Sequence, residues 1–415
     1  MKIAIINHSD SRGGASVVSM RLMKALAAEG AEVSMTVAHK AGKDPGVHLA
    51  GSALSRKIPF LLEHARIFAA NGFTRRDLFA VSIASDGLPL SALPQVEQAD
   101  VIMLNWVNQG MLDFSEIMTL IMMGKKIIWT MHDMWNLTGI CHHAGTCTRY
   151  RLRPGCGNCP LLHGRAAEND LSRRTWELKR AIYATDRITF VAVSSWLERK
   201  CAESSVMKGC FVEVIPNAFP VDEFYIVPRR SRTDMGLPEG KKLILMGAAR
   251  LDDPVKGLPL AVEALNRLAD SGRTDAHAVF FGAIRDPHAL DALRLPHTAL
   301  GPVSDTGFLH ELYAQSTAVL SSSLYETLPG TLVEGQAAGC FPVSFGEGGQ
   351  ADIVEHGISG YIARYRDTAD LAEGLVMALD GRFDPALLRR NVKNRFSARA
   401  VARRYLRLIE AEMNL

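Results

Sequence analysis

Short apolar, β-rich runs alternate with amphipathic helical stretches along the whole of this chain, and that rhythm admits few folds. In the first half the runs are Ile3 to Asn7, Glu32 to Ala38, Val101 to Val107, Lys126 to Met131 and Ile188 to Ser194. After Pro228 the rhythm restarts with Leu243 to Ala249, Ala278 to Gly282, Thr317 to Ser323, Phe341 to Phe345 and Gly360 to Ala363. Parallel neighbours in a sheet need a helical crossover between them, so the alternation predicts parallel sheets covered by helices. A length of 415 residues exceeds one ordinary core. The restart therefore predicts two doubly wound α/β domains, 1–215 and 216–396, facing across a cleft. Between them Val214 to Phe224 carries two prolines and reads as a linker, and 397–415 holds an amphipathic helix from Ser397 to Glu412. Ligands of such sheets bind beyond the carboxyl ends of the strands, so both domains are expected to contribute residues to one site.

Charge and cysteine usage narrow the function. The 47 basic and 44 acidic residues leave a net charge of +3, which argues against a dedicated nucleic-acid binder. No run of about 18 uncharged apolar residues occurs, and Met1 to Asn7 reads as a first strand rather than a secretory signal, so a cytoplasmic protein is expected. Seven cysteines, an odd number, fit reduced thiols better than a disulfide framework.

The segment Ser321 to Gly339 carries the strongest chemical signal. Small and β-branched residues (Thr317 to Ser323) are followed by Glu326, by Pro329-Gly330 at a helix start, and by Glu334 before Gly339. That is a strand, a loop and a helix. The leading N–H groups and dipole of a helix starting near Gly330 would face the end of the strand and favour an anion such as phosphate. At about 100° per residue, two glutamates eight apart on one helix would point roughly 80° apart, so Glu326 is expected on the loop and Glu334 early in the helix. Taken as a bare spacing the pair carries little. In its context the segment resembles the signature of the family-4 retaining glycosyltransferases, a Glu-x7-Glu pair followed by a Gly-Gly loop, here Phe345-Gly-Glu-Gly-Gly-Gln-Ala-Asp. The resemblance runs without a gap over about 45 residues.

That resemblance implies the two-Rossmann B-type glycosyltransferase fold, with a carboxy-terminal helix crossing back to the first domain. It implies a nucleotide diphosphate sugar as donor, held by Gly13, Gly14, Val303, Leu328, Gly330, Thr331 and Glu334. Glu326 would grip sugar hydroxyls and Glu334 the ribose. Arg250 and Lys256, in Gly247 to Gly257, could neutralise the departing diphosphate, one by bidentate hydrogen bonds and the other as a compact charge. His132 would contact the transferred sugar, with Asp133 and Asn105 on the acceptor side. As a dinucleotide fingerprint Ser11 to Ser16 fails, because the full Gly-x-Gly-x-x-Gly is absent, and a tight turn would explain it equally. Ala218 replaces the glycine that the family carries in its linker.

Cys141, Cys147, Cys156 and Cys159 follow His132 at once, and His132 to Leu161 resembles the colanic-acid type of bacterial polysaccharide glycosyltransferases. Four thiolates could close a structural zinc site, or they could stay reduced thiols, since only the Cys-x2-Cys end has ordinary zinc spacing. Ser55 to Leu62 and Arg173 to Arg180 interleave cations with apolar residues; such faces suit either water or an anionic membrane, the solvated face being the commoner case. The resulting expectation is a retaining glycosyltransferase acting on a glycan, lipid-linked acceptor in surface polysaccharide synthesis. No metal is expected for catalysis, because Asp-x-Asp occurs nowhere in the chain. The competing readings are a sugar-nucleotide 2-epimerase and a non-catalytic nucleotide-sugar-binding subunit.

Overall fold

The computed structural model describes residues 1–381 and 383–413. The chain divides into two compact units, Met1–Ala218 together with the chain from Val401 on, and Phe219–Ala400. Each is a parallel sheet with helices, the Rossmann-like architecture that the alternation predicts.

The first unit is built from β1 (Lys2–Ser9), α1 (Gly14–Ala28), β2 (Glu32–His39), β3 (Val47–Leu49), α2 (Ala53–Ala70), α3 (Pro94–Glu97), β4 (Val101–Leu104), α4 (Phe114–Met122), β5 (Lys126–Met131), α5 (Leu171–Tyr183), β6 (Ile188–Ala192), α6 (Ser195–Glu203) and β7 (Val212–Val214). Its strands run parallel in the order β3-β2-β1-β4-β5-β6-β7. The central strands β4 and β6 are buried at every position, which is why they read as unbroken apolar runs. Both edge strands, β3 and β7, are three residues long and only partly buried.

The second unit holds β8 (Lys242–Arg250), α7 (Leu258–Asp270), β9 (Ala276–Ala283), β10 (His297–Ala299), α8 (Thr306–Ala314), β11 (Ala318–Ser321), α9 (Gly330–Ala337), β12 (Phe341–Phe345), β13 (Tyr361–Ala363), α10 (Thr368–Leu379) and α11 (Pro385–Phe396). Its sheet has the order β10-β9-β8-β11-β12-β13. One core cluster joins Ile244, Leu265, Phe280, Leu320, Val343 and Leu375 from strands and helices alike.

The last helix, α12 (Ala398–Met413), buries Val401, Ala402, Tyr405 and Ile409. From Val401 on it belongs to the first unit: Tyr405 Oη lies 3.0 Å from Thr130 Oγ1 of β5, and Arg403 Nε donates to Glu29 at 2.9 Å. No helix among the described residues is long and apolar enough to cross a membrane.

One basic segment is not the solvated face that its composition suggests. On α5 Lys179 is fully buried and Arg173 nearly so. The Lys179 ammonium lies over the Trp135 ring and donates to three carbonyl oxygens, those of Trp135, Thr138 and Gly139, the last two at 3.1 and 3.0 Å. These carbonyls belong to the chain after β5, which has almost no regular structure of its own. All three donors of the ammonium are used, and burial draws its pKa down to about 7. Replacing Lys179 by Ala would leave the inward carbonyls of Thr138 and Gly139 without this donor and that of Trp135 with only the longer bonds from Thr138. A loss of about 3 kcal/mol in unfolding free energy is expected, read from the urea midpoint of the variant against the native chain.

Candidate functional site

The second unit gathers its polar residues at the carboxyl ends of β8 and β11. Strand β8 breaks register between Gly247 and Arg250 and leads through a 3-10 turn, Pro254–Lys256, into α7. Gly257 takes a positive φ of 63°, and a Cβ there would stand 2.2 Å from the Ser322 carbonyl oxygen. This close approach sets Lys256 against the loop after β11, and Ser322 Oγ donates to the Lys256 carbonyl at 2.9 Å.

Glu326 occupies that loop and Glu334 the fifth position of α9. The loop is held from the other side as well. Glu326 pairs in parallel fashion with Gly348, and the Gly349 N–H donates to the Glu326 carbonyl at 2.8 Å. Gly348 has φ 136°, and a Cβ there would lie 2.2 Å from the same oxygen. The two glycines of the Gly-Gly element thus serve to bring a second backbone against Glu326. Its carboxylate then accepts from Lys256 Nζ.

Lys256, Glu326, Gly330 and Thr331 line one cavity of about 190 Å³ together with Gly247, Ala248, Ser321 and Ser323. Pro329 is the N-cap of α9 and offers no side-chain acceptor to the leading N–H groups of the helix. The floor requires Gly247, because a Cβ would fall 1.9 Å from the Phe281 ring.

Arg250, Leu328, Val303 and Glu334, also expected on the donor side, do not line this cavity. Arg250 is held by its own acidic neighbours, with Nη2 3.1 Å from Asp253 and Nε 3.6 Å from Asp252. Leu328 is buried before the helix start. Val303 lies in the loop after β10, which is fastened where Gly282 N–H donates to Gly301 at 2.8 Å. Glu334 accepts from Tyr313 Oη at 3.3 Å.

In the first unit the corresponding strand ends carry a second polar group. Gly13, with φ 82°, caps α1 and Gly14 begins it; a Cβ at either would meet nothing within 4 Å. Only Gly13 therefore needs its glycine for backbone reasons. The Asn105 carbonyl oxygen of the side chain can only accept, so His132 Nε2, 2.9 Å away, carries the proton. Burial lowers the His132 pKa to about 4, with Asp133 opposing. The ring stays neutral, and it borders a small cavity with Asn105, Thr130 and Tyr405.

Asp133, expected on the acceptor side, has both carboxylate oxygens engaged within the first unit. Its Oδ1 accepts the Trp135 N–H at 2.8 Å; its Oδ2 accepts Trp106 Nε1–H at 2.9 Å and His142 Nδ1–H at 2.8 Å. Burial alone would raise this carboxyl, but the charge and hydrogen bond of His142, with the Trp135 amide, hold it far below the usual range. His142 Nε2 in turn lies 3.0 Å from Ser82 Oγ. Asp133 thus anchors Trp106 and His142, a role no local pattern announces; only the run Asn105-Trp106-Val107-Asn108 marks the place.

The four cysteines expected either to hold zinc or to stay reduced lie near enough to influence one another's charge. Among the described residues no group of three or more His, Cys, Asp or Glu is placed to hold a metal ion. As free thiols, Cys141 and Cys159 are pushed up to about 12 by burial and Cys156 is raised, whereas coordination to a metal would deprotonate them. Cys159 joins Ile67, Val81, Ile83, Ile140 and Leu162 in a small apolar cluster, and Cys156 Sγ accepts the Gly139 N–H at 3.1 Å.

Residues 241–380, which include every residue lining the donor-side cavity, match the family model described as glycosyl transferases group 1. The protein carries a group 1 glycosyltransferase domain. Solved structures extend the likeness over both units. Sucrose-phosphate synthase from Thermosynechococcus elongatus is 17% identical with a TM-score of 0.66, covering 100% of this chain and 99% of that one. HepE of Anabaena, in complex with UDP and glucose, is 13% identical with a TM-score of 0.62, covering 99% and 100%. The lipopolysaccharide outer core galactosyltransferase WaaB is 13% identical with a TM-score of 0.61, again covering 99% and 100%. At such identities the likeness establishes the fold, that of the B-type glycosyltransferases. No curated protein matches the chain by sequence.

Two measurements check this geometry. Gly348→Ala should lower stability by about 2 to 4 kcal/mol in chemical denaturation, whereas Gly14→Ala, with open space around it, should change it by less than about 0.5 kcal/mol. The His132 pKa is depressed, so the folded protein resists protonating this ring; its imidazole resonances should stay constant in an NMR titration from pH 8 down to about 5.5 and move only as pH approaches 4.

Proposed function

We propose that the protein is a retaining, metal-independent glycosyltransferase that moves a sugar from a nucleotide diphosphate donor to a hydroxyl of a glycan acceptor, a lipid-linked one in surface polysaccharide synthesis. The observation that carries this reading is the Lys256–Glu326 pair set opposite the start of α9 around one cavity. An ammonium and a helix N-terminus together suit a diphosphate, and a carboxylate suits sugar hydroxyls. That HepE, of the same fold, is described with UDP and glucose supports a nucleotide-sugar donor.

The steps follow from charge. As the anomeric C–O bond to the diphosphate breaks, negative charge grows on the leaving oxygen, and Lys256 with the first amides of α9 stabilises it. Glu326 orients the sugar by accepting from its hydroxyls. The acceptor oxygen attacks from the side the phosphate leaves, and a departing phosphate oxygen takes its proton, which gives retention. No carboxylate acts as nucleophile. The absence of any Asp-x-Asp in the chain supports charge neutralisation by Lys256 and helix dipole rather than by a metal. To the first unit we assign acceptor binding, at the strand end that carries Asn105, while His132 and the Gly13 turn are assigned to the donor sugar and its diphosphate.

The test is mass spectrometry of sugar and nucleotide release from UDP-, GDP- and ADP-sugars without added metal, comparing the native chain with Glu326→Ala and Lys256→Ala. One donor should be turned over slowly, and each variant should lose about 10²-fold or more. A sugar epimerised at C2 in place of transfer would overturn the reading in favour of the epimerase. Tight nucleotide binding with no turnover, even with glycan acceptors, would favour the binding subunit.

A further inference from the structure

Helix α2 exposes the kind of residue that a surface helix ordinarily hides. Its inner face buries Pro59, Glu63, His64 and Ile67. Its outer face shows Leu54, Ile58, Leu61 and Leu62 at 69, 45, 50 and 46% exposure. Positions 54, 58, 61 and 62, with Ala65, fall on one helical stripe, so these side chains form a continuous apolar ridge pointing away from the unit. Two further exposed aromatic rings flank the helix. Phe73, 63% exposed, stands edge-on to Phe68 at 5.7 Å, and Phe79, 60% exposed, lies 4.9 Å from the His64 ring.

The charges around this ridge are mostly basic. Arg56, Lys57 and Arg66 lie on the helix, Arg75 and Arg76 follow it, and Arg165 sits over the Phe73 ring. Arg66 pairs with Asp86 and Arg76 with Asp77, but Lys57 and Arg75 have no acidic partner among the described residues. The one acid of α2, Glu63, is fully buried and accepts the Ile83 and Ala84 N–H groups at 2.7 and 2.9 Å. No carboxylate therefore faces outward from α2.

We infer that the outer face of α2, with Phe73 and Phe79, is a docking surface for an anionic lipid bilayer. An apolar ridge bordered by cations matches acyl chains below a layer of negative headgroups. At about 27 Å the helix is long enough to lie in the plane of the interface with its whole ridge immersed. A second copy of the chain fits less well, because a two-fold contact on this face would set Lys57 near its own counterpart with no outward carboxylate of α2 to meet it. The inference goes beyond the donor chemistry and does not require it: docking needs neither Lys256 nor Glu326.

The experiment is co-sedimentation of the full chain, without nucleotide, with vesicles of phosphatidylcholine alone or mixed with phosphatidylglycerol. Binding is expected to the mixed vesicles only, and to weaken roughly tenfold between 0.1 and 0.5 M salt. Ile58→Glu/Leu62→Glu and Lys57→Glu should each weaken it at least about tenfold with unchanged thermal unfolding, since all three side chains are exposed. Equal binding to neutral vesicles, no binding to either, or variants that bind like the native chain would overturn the inference. So would a dimer in sedimentation velocity without lipid that Ile58→Glu/Leu62→Glu dissolves, which would make the ridge a contact between copies. Because no donor is present, failure here leaves the transferase reading untouched, and failure of donor turnover leaves this one untouched.

Discussion

The second unit depends on a single backbone contact, the pairing of Glu326 with the glycines at 348 and 349. A carboxylate on an unsupported loop would sample many positions and would bind Lys256 weakly, as exposed ion pairs do. Here the loop is clamped between two close backbone approaches, Ser322 against Gly257 on one side and Glu326 against Gly348 on the other. The ion pair is therefore laid down by main-chain geometry before its own attraction counts. Preorganisation of this kind lets a fixed charge act on a leaving group without rearranging when the reaction occurs.

The first unit solves a similar problem with side chains. Asp133 ties Trp106, Trp135 and His142 into one network, and Ser82 closes it from the far side of a sixty-residue gap. The neighbouring His132 is thereby set beside a carboxylate whose lone pairs are already committed. Its own partner is Asn105, and its ring remains neutral. Burial dominates over the adjacent negative charge. Lys179 performs the matching service for the irregular chain after β5, substituting three carbonyl contacts for the regular structure that this segment lacks.

How much of this the sequence disclosed depended on how local each signal was. Both sheets were readable from their buried central strands, because an unbroken apolar run is a local property. The strands β3, β7 and β10 were not, since each has three residues, pairs on one side only and is partly exposed. Lys256, Glu326 and Gly330 were readable because motif and spacing lie in short stretches of chain. The reason for Gly348 was not, as a positive φ and a contact with residue 326 leave no trace in composition. The contacts of Asp133 and Lys179 were not readable, for one common cause. An acid after a strand looks available to a ligand and a lysine on an amphipathic helix looks solvated, and only the tertiary partners reveal otherwise. Arg250 stands between these cases, found at the expected place but engaged by Asp252 and Asp253.

The way α2 is seated has a mechanical consequence. Gly110 admits the helix so closely that a Cβ there would lie 2.4 Å from the Phe60 nitrogen, and Glu63 is plugged into two backbone amides below. A half-turn about its axis would draw a lysine inward and tear a carboxylate from its donors, so the helix is keyed like a shaft in a slot. Its leucines cannot be folded away when nothing covers them. Colloidal behaviour in dilute buffer then becomes a property of this one ridge, a tendency to adhere to surfaces and detergents that the unit carries at all times rather than on demand.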